Sequence, residues 1–518
     1  MRILLLILLL ALTVNCGSDF FKGKLGSKIK ALLEKIKSSM NVTSLLQIRE
    51  KFAKLRDKIK KKLALTPQRK AEVDKIMKFI KLNKEDRIQK SGDTISQINK
   101  RTGMADILFQ GDIVLTDDQA NEITDEIENE GKNRTKRQAY RDQWYPQTIW
   151  PDGVEYSFDP SADQLMRTVF VKAAQAWMED TCINFRENPS SPTRVRLFKQ
   201  NGCWSMIGNT HREQMLSLGD GCATVAIATH EIGHAIGFWH THARYDRDQY
   251  LYFIPQNVIP SWLDQFALQT PQTNENYGLP YDYGSIMHYA ASSASQNGKP
   301  TMVPRDQTYL ETLGSPFISF IEKLMINRHY GCDKNCGQGS AQCRMGGFPN
   351  PRDCSRCVCP SGYGGDLCDQ RPPGCGGVVE ASNDVQTLRD GVGVPNSGER
   401  VDMKVCNYWI TAPEGSRIEV RISGMANGPY IHGCVFWGIE INTQRDQLQT
   451  GFRFCNPQDI GLTLVSSSNI VPIIVYNRVG VTPFAVDYRI GDLRFLNHHF
   501  HSFLWIRDIY VRCIHRFV

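Results

Sequence analysis

Eleven consecutive residues constrain this 518-residue chain more than any others: His230-Glu231-Ile232-Gly233-His234-Ala235-Ile236-Gly237-Phe238-Trp239-His240. Two histidines four apart lie on one face of a helix, so both imidazoles reach a single ion. Glu231, beside the first, is placed to hold a water there and take its proton. Gly237 admits a backbone turn closed to other residues. A helix that stops there brings His240 round as a third ligand. Three protein ligands with one open position are what catalytic zinc requires. The five-residue form of this pattern, His230 to His234, arises in helices by chance; the long form is far more specific.

A chain of this length exceeds a single core, and three or four units are expected at about 100–200 residues each. It opens with Met1-Arg2 and an apolar run from Ile3 to Val14. That run reads as a secretory signal over residues 1–17, too short for a stable membrane span of roughly 18 apolar residues or more. Of sixteen cysteines, fourteen fall between Cys182 and Cys455, with Cys16 at the signal boundary and Cys513 near the end. A dense even set behind a signal reads as a disulfide framework in a secreted, extracellular protein.

Residues 1–137 carry 29 Lys and Arg against 18 Asp and Glu, and the remainder carries 32 against 36. The net charge of +7 therefore belongs to the amino-terminal segment, and nothing beyond it suggests a nucleic-acid partner. Lys22 to Lys100 is lysine-rich with apolar residues at helical spacing, as in Ile29, Leu32, Leu33 and Ile36. A membrane-active peptide is one reading; a helical, partly disordered propeptide over residues 18–137 is the preferred one. It ends in an acidic run, Asp117 to Glu130, and then Arg134-Thr135-Lys136-Arg137. This matches the pattern cut by furin-like convertases, which would leave Gln138 as a new amino terminus. Asn41-Val42-Thr43 and Asn133-Arg134-Thr135 are glycosylation acceptors.

Residues 138–332 mix strands (Gly153–Asp159, Thr193–Lys199) with two helices. One follows Ser161, a candidate cap, and the other leads into His230, so the unit reads as α+β. Residues 333–369 hold six cysteines among Gly and Pro, too small a unit for a core without staples. Residues 375–491 alternate as a β-sandwich does. The tail, 492–518, carries His498, His499, His501 and His515 and fits none of these patterns.

The sequence HEIGHAIGFWH, followed by Ala243–Asp248 (ARYDRD) and Ser285–Tyr289 (SIMHY), resembles the astacin family of metzincin proteases. The resemblance implies an α+β zinc endopeptidase over 138–332, with one Zn2+ per catalytic domain on His230, His234 and His240. It makes Glu231 the general base, Met287 the floor of a methionine turn, and Tyr289 both a resting zinc ligand and the oxyanion donor. It pairs Cys182 with Cys332 and Cys203 with Cys222. Phe109-Gln110-Gly111-Asp112 matches the family's F-x-G-D prosegment motif, in which Asp112 would take the open zinc position. Family members usually carry Glu after the third histidine, where this chain has Thr241.

The cysteines after 333 resemble an EGF-like module, implying Cys336–Cys354, Cys343–Cys357 and Cys359–Cys368. Residues 375–491 resemble a CUB domain, implying Cys375–Cys406 and Cys434–Cys455. Phe436-Trp437 stand where calcium-binding CUB domains carry Tyr-Asp. The module order resembles nematode astacins of moulting and cuticle collagen processing. It implies a zymogen that a furin-like convertase activates and whose protein substrates are extracellular matrix or cuticle collagen precursors. The alternative is a non-catalytic adhesion protein binding through its EGF and CUB modules; loss of a ligand or of Glu231 would favour it, and none is lost.

Overall fold

The computed structural model describes residues 42–78, 80, 85–86, 88–128, 139–270 and 273–491. Outside them lie the signal, Ile29–Ile36, Asn41, Asn133, the Arg134–Arg137 site with Gln138, and the tail with Cys513.

The amino-terminal helices form because their apolar residues recur every three or four positions. Helix α1 (Val42–Leu63) buries Leu45, Ile48, Phe52, Leu55, Ile59 and Leu63 along one stripe. Helix α2 (Pro67–Ile76) starts on Thr66, whose side chain caps it, with proline at its first turn. Helix α3 (Ile95–Thr102) is capped by Thr94 and ends on Gly103. Helix α4 (Asp117–Glu128) places Asp117 and Asp118 at its positive end and buries Ala120, Ile123 and Ile127. From Ile48 onward the α1 stripe shares one core with Trp239, Trp262 and Phe266, while Leu45 packs with Met104 and Trp204. Where it is described, this basic segment is thus packed on the enzyme.

Strands β1 (Ile113–Val114), β2 (Ala139–Tyr140), β3 (Val154–Phe158), β4 (Phe185–Glu187), β5 (Val195–Phe198), β6 (Cys203–Met206) and β7 (Gln214–Leu218) follow. Six of them build a sheet in the order β1-β6-β7-β5-β3-β4, parallel throughout except for β6 with β7. The edge strand β1 comes from the amino-terminal segment and pairs Ile113 with Ser205 and Val114 with Met206.

Behind the sheet, α5 (Gln164–Glu179) packs against α6 (Val225–Ala235), with Phe170, Ala173 and Trp177 sharing a core with Ala228 and Ile232. The cap of α5 is Asp163, not Ser161. Asp163 accepts the Met166 amide at 3.0 Å, while the Ser161 hydroxyl accepts the Lys199 amide. A turn closed by Asp159 takes up Ser161 and delays the helix. Helix α7 (Phe320–Tyr330) begins with a capping box between Ser319 and Glu322.

Among the described residues seven disulfides staple the chain: Cys182–Cys332, Cys203–Cys222, Cys336–Cys354, Cys343–Cys357, Cys359–Cys368, Cys375–Cys406 and Cys434–Cys455. The first ties the end of α5 to the end of α7. The small module that follows rests on α5, where Arg352 donates to the carbonyls of Met178 and Ile183. Residues 378–490 form two facing sheets of five and four strands. This sandwich docks on the loop before α7: the Arg453 amide donates to Thr312 Oγ1 and the Cys455 amide to Glu311, each at 3.0 Å, and Phe452 packs on Tyr309. Among the described residues, no helix is long and apolar enough to cross a membrane.

Candidate active site

Helix α6 puts His230 and His234 one turn apart and wholly inside the protein. It ends at Ala235, and Gly237, with φ of 111°, takes the left-handed turn that swings His240 back beneath it. Each imidazole is pinned through Nδ1. His230 donates to the Ile286 carbonyl and His234 to the Phe238 carbonyl, both at 2.7 Å, and His240 donates to Gln110 Oε1 at 2.9 Å. That leaves every Nε2 with a lone pair aimed at one point. Burial lowers the pKa of His234 and holds His240 down to about 4, which keeps them neutral, the form that binds a metal.

The fourth corner is Asp112. Its carboxylate lies 3.2 Å from His230 Nε2, 3.5 Å from His234 Nε2 and 3.2 Å from His240 Nε2. A tetrahedron with arms of about 2.0–2.1 Å, as zinc makes to nitrogen and oxygen, has edges of about 3.3–3.4 Å. The Tyr289 hydroxyl donates to the same carboxylate at 2.6 Å. Gly111 makes this approach possible: its φ is 95°, and a Cβ there would stand 3.1 Å from the Tyr289 hydroxyl.

Several buried atoms here have no hydrogen-bond partner: His234 Nε2, one oxygen of Asp112 and both oxygens of Glu231. Such groups are costly without a partner. A cation among the three Nε2 atoms and the Asp112 oxygen would satisfy the first two, so the residues fit zinc. Glu231 lies beside that point, and burial together with the charge of Asp112 raises its pKa well above the usual carboxylate range.

The family model of the astacin peptidases matches residues 142–331. Zinc metalloproteinase nas-31 of Caenorhabditis elegans is 47% identical over 408 residues, covering 78% of this chain and 67% of that protein. The chain belongs to the astacin family. It is a zinc metalloendopeptidase with protein substrates. Zinc metalloproteinase nas-29 of the same worm is 34% identical over 410 residues, 74% of this chain and 76% of that protein. Among solved structures, the hatching enzyme high choriolytic enzyme 1 of medaka, Oryzias latipes, is 27% identical, covering 37% of this chain and 98% of that one, with a TM-score of 0.35.

In this astacin the methionine turn is held from below. Met287 is buried, and its carbonyl accepts the Thr241 amide at 3.0 Å. The Thr241 hydroxyl pairs with Ser285 at 2.6 Å, and Ser285 in turn donates to Glu322. Glu322 also accepts the amides of Ile286 (3.0 Å), Met287 (3.1 Å) and Ser319 (2.8 Å). Thr241 therefore belongs to a buried network that carries the turn, and the carboxylate of that network comes from α7. Sequence reasoning missed Glu322. The signal was Ser319-Phe320-Ile321-Glu322, a capping-box pattern. Glu322→Gln turns an amide NH2 towards these donors and should cost ~3 kcal/mol. Thermal unfolding of the purified chain should show a clear drop in midpoint; an unchanged midpoint would refute this role.

Two further residues were not anticipated. His242 stacks on His240 and Tyr289, with ring centroids 4.9 and 4.8 Å apart, and accepts the Tyr289 amide. Asn99 accepts the Cys203 amide and donates to the carbonyls of Cys203 and Gly111, so it staples the amino-terminal segment to β6 beside the metal position. Arg244 and Arg247 of the ARYDRD stretch are buried and lace the loop to the carbonyls of Pro280, Leu279, His242 and Phe266.

Proposed function

We propose that this chain is secreted as a latent zymogen, that residues 18–137 are its propeptide, and that cleavage after Arg137 frees an endopeptidase acting on extracellular matrix or cuticle precursors such as collagens. The observation that carries latency is Asp112, buried at the fourth corner of the metal position. The proposed boundaries are 138–332 for the protease, 333–369 for the EGF-like module and 375–491 for the CUB domain. The matrix substrate is supported by module order alone.

Within the protease, His230, His234 and His240 would hold zinc, a Lewis acid that polarises the scissile carbonyl and acidifies water. Glu231 takes a proton from the attacking water and passes it to the leaving amine. Once Asp112 has gone, the Tyr289 hydroxyl is free to donate to the oxygen that gains charge as the carbon becomes tetrahedral. Tyr289→Phe removes that donor and leaves the ring stack in place. It should lower kcat by about 10²–10³ while KM stays within about twofold. Steady-state kinetics on one extended peptide checks this; a loss seen in KM alone would assign Tyr289 to binding.

The zymogen reading is tested by expressing the full chain beside its Arg137→Ala form in secreting cells. The unmutated protein should appear in the medium, cut before Gln138, and should hydrolyse collagen precursors to new amino termini readable by mass spectrometry. The Arg137→Ala form should be secreted whole and silent. A whole chain as active as the cut one would end the proposal.

A further inference from the structure

Residues 85–86 and 88–96 of the amino-terminal segment have a different domain on each side. One side is the protease: the Ser292 hydroxyl donates to Glu85 at 3.2 Å and the Ala294 amide to Ser96 Oγ at 3.3 Å. The other side is the β-sandwich. The Asp86 amide donates to the Tyr430 carbonyl at 2.8 Å, and the Tyr430 amide returns a bond to the Asp86 carboxylate at 2.9 Å. The His432 amide donates to Glu85 at 3.1 Å. Further along, Gln89 donates to Glu399, and Asp93 is a charge that acts on Arg478. Glu399 and Arg478 form part of the wall that the sandwich gives to the cleft lined by His230 and Tyr289.

Glu85 is the point where all three parts meet. Its carboxylate takes the Ser292 hydroxyl from the protease and the His432 amide from the sandwich, and it stands 3.3 Å from His432 Nδ1. His432 is buried, and its Nδ1 lies 2.7 Å from the Ser292 oxygen. The loop that receives the two carboxylates is fixed by the sandwich itself. Ile431 sits in a buried cluster, and the Cys434 amide closes a turn on its carbonyl. The Cys434–Cys455 disulfide ties that turn to Cys455, whose amide donates to Glu311 of the protease. A site fixed in advance loses little freedom on binding. Hydrogen bonds to a carboxylate are also stronger than neutral ones.

All these contacts are made by residues that precede Arg137 by a long stretch of chain. A cut after Arg137 removes the covalent tether and breaks none of them. We propose that the face of the sandwich carrying Tyr430 and His432 is a binding surface for the acidic pair Glu85-Asp86 of this chain's own amino-terminal segment, and that it keeps the segment on the enzyme after that cut. The cut chain is then a non-covalent complex, silent until the segment dissociates, and the sandwich helps to set how long that takes. This rests on the zymogen reading and adds a step to it: cutting and activation are separate events.

The test uses the full chain with Arg134–Arg137 replaced by a site for an added sequence-specific protease, so that the cut needs no convertase. After the cut, gel filtration should carry segment and enzyme in one peak. Hydrolysis of an extended peptide should then rise with a lag as the segment leaves. Glu85→Ala combined with Asp86→Ala should shorten that lag by about tenfold or more, the scale of hydrogen bonds to charged groups. The final rate should not change, because both residues depart with the segment. His432→Ala, made on the sandwich side, should shorten the lag by about fivefold and probes the same surface if the double variant is not secreted. Immediate separation of the segment from the enzyme, or dissociation that neither variant speeds, overturns the proposal. An uncut chain as active as the cut one sinks the zymogen reading instead, and the rate at which the segment leaves the shared peak still decides the surface.

Discussion

Asp112→Ala should make the uncut precursor a working protease. In an Arg137→Ala background, its hydrolysis of an extended fluorogenic peptide should exceed that of the unmutated precursor by roughly 10²–10³. Removing one member of a buried charged cluster costs about 3–5 kcal/mol, and each 1.4 kcal/mol is tenfold. Full activity is not expected, because other contacts still hold the segment. Asn99 bridges to Cys203, the Trp262 indole donates to Asp106 at 2.6 Å, and Arg49 pairs with the buried Asp264. Asp112→Asn, which keeps the shape and removes the charge, should fall between the two. A zinc-loaded Asp112→Ala precursor as silent as its parent would mean that blockage of the cleft, not the carboxylate, keeps the enzyme quiet.

The second large effect is at Glu231. Glu231→Gln should lower kcat of the processed enzyme by about 10³–10⁴, at the upper end of what a positioned proton carrier contributes. Zinc content should not change, since Glu231 is not a ligand and His230 and His234 keep their Nδ1 anchors in Ile286 and Phe238. In the precursor, neither oxygen of Glu231 has a hydrogen-bond partner, and burial with the Asp112 charge disfavours ionisation. The precursor's melting temperature should therefore stay level or rise in Glu231→Gln. Metal analysis and calorimetry on the same preparation separate the outcomes. Turnover within tenfold of the parent would remove Glu231 from the mechanism, and lost zinc would recast it as a structural residue.

The zinc constellation was legible in the sequence because its spacing is local: one helical turn and one glycine set all three imidazoles. Asp112 was legible for a different reason, since its four-residue motif matches a family pattern. The start of α5 was not. Ser161 and Asp163 are both competent caps two residues apart, and only the turn at Asp159 decides between them. Glu322 was half legible: its capping box could be read, but the turn it also carries lies 35 to 37 residues earlier in the chain. Arg478 was beyond reach. Its position in the cleft depends on how the sandwich docks, through Arg453, Cys455 and Phe452, and no local pattern encodes that.

Strand β6 has a consequence for what can be cut. It has neighbours on both sides only while Ile113 and Val114 lie against Ser205 and Met206 and the Asp112 carbonyl accepts the Ser205 amide at 3.1 Å. In the enzyme proposed to arise when that segment is cut away, β6 would present a row of unpaired main-chain groups beside the metal position, a ready partner for any extended chain. Helices and paired strands have already committed those groups elsewhere. The first selection such an enzyme would make is therefore by shape: it would take interdomain linkers, frayed ends and slack loops, and a well-folded domain would be safe from it until it opens.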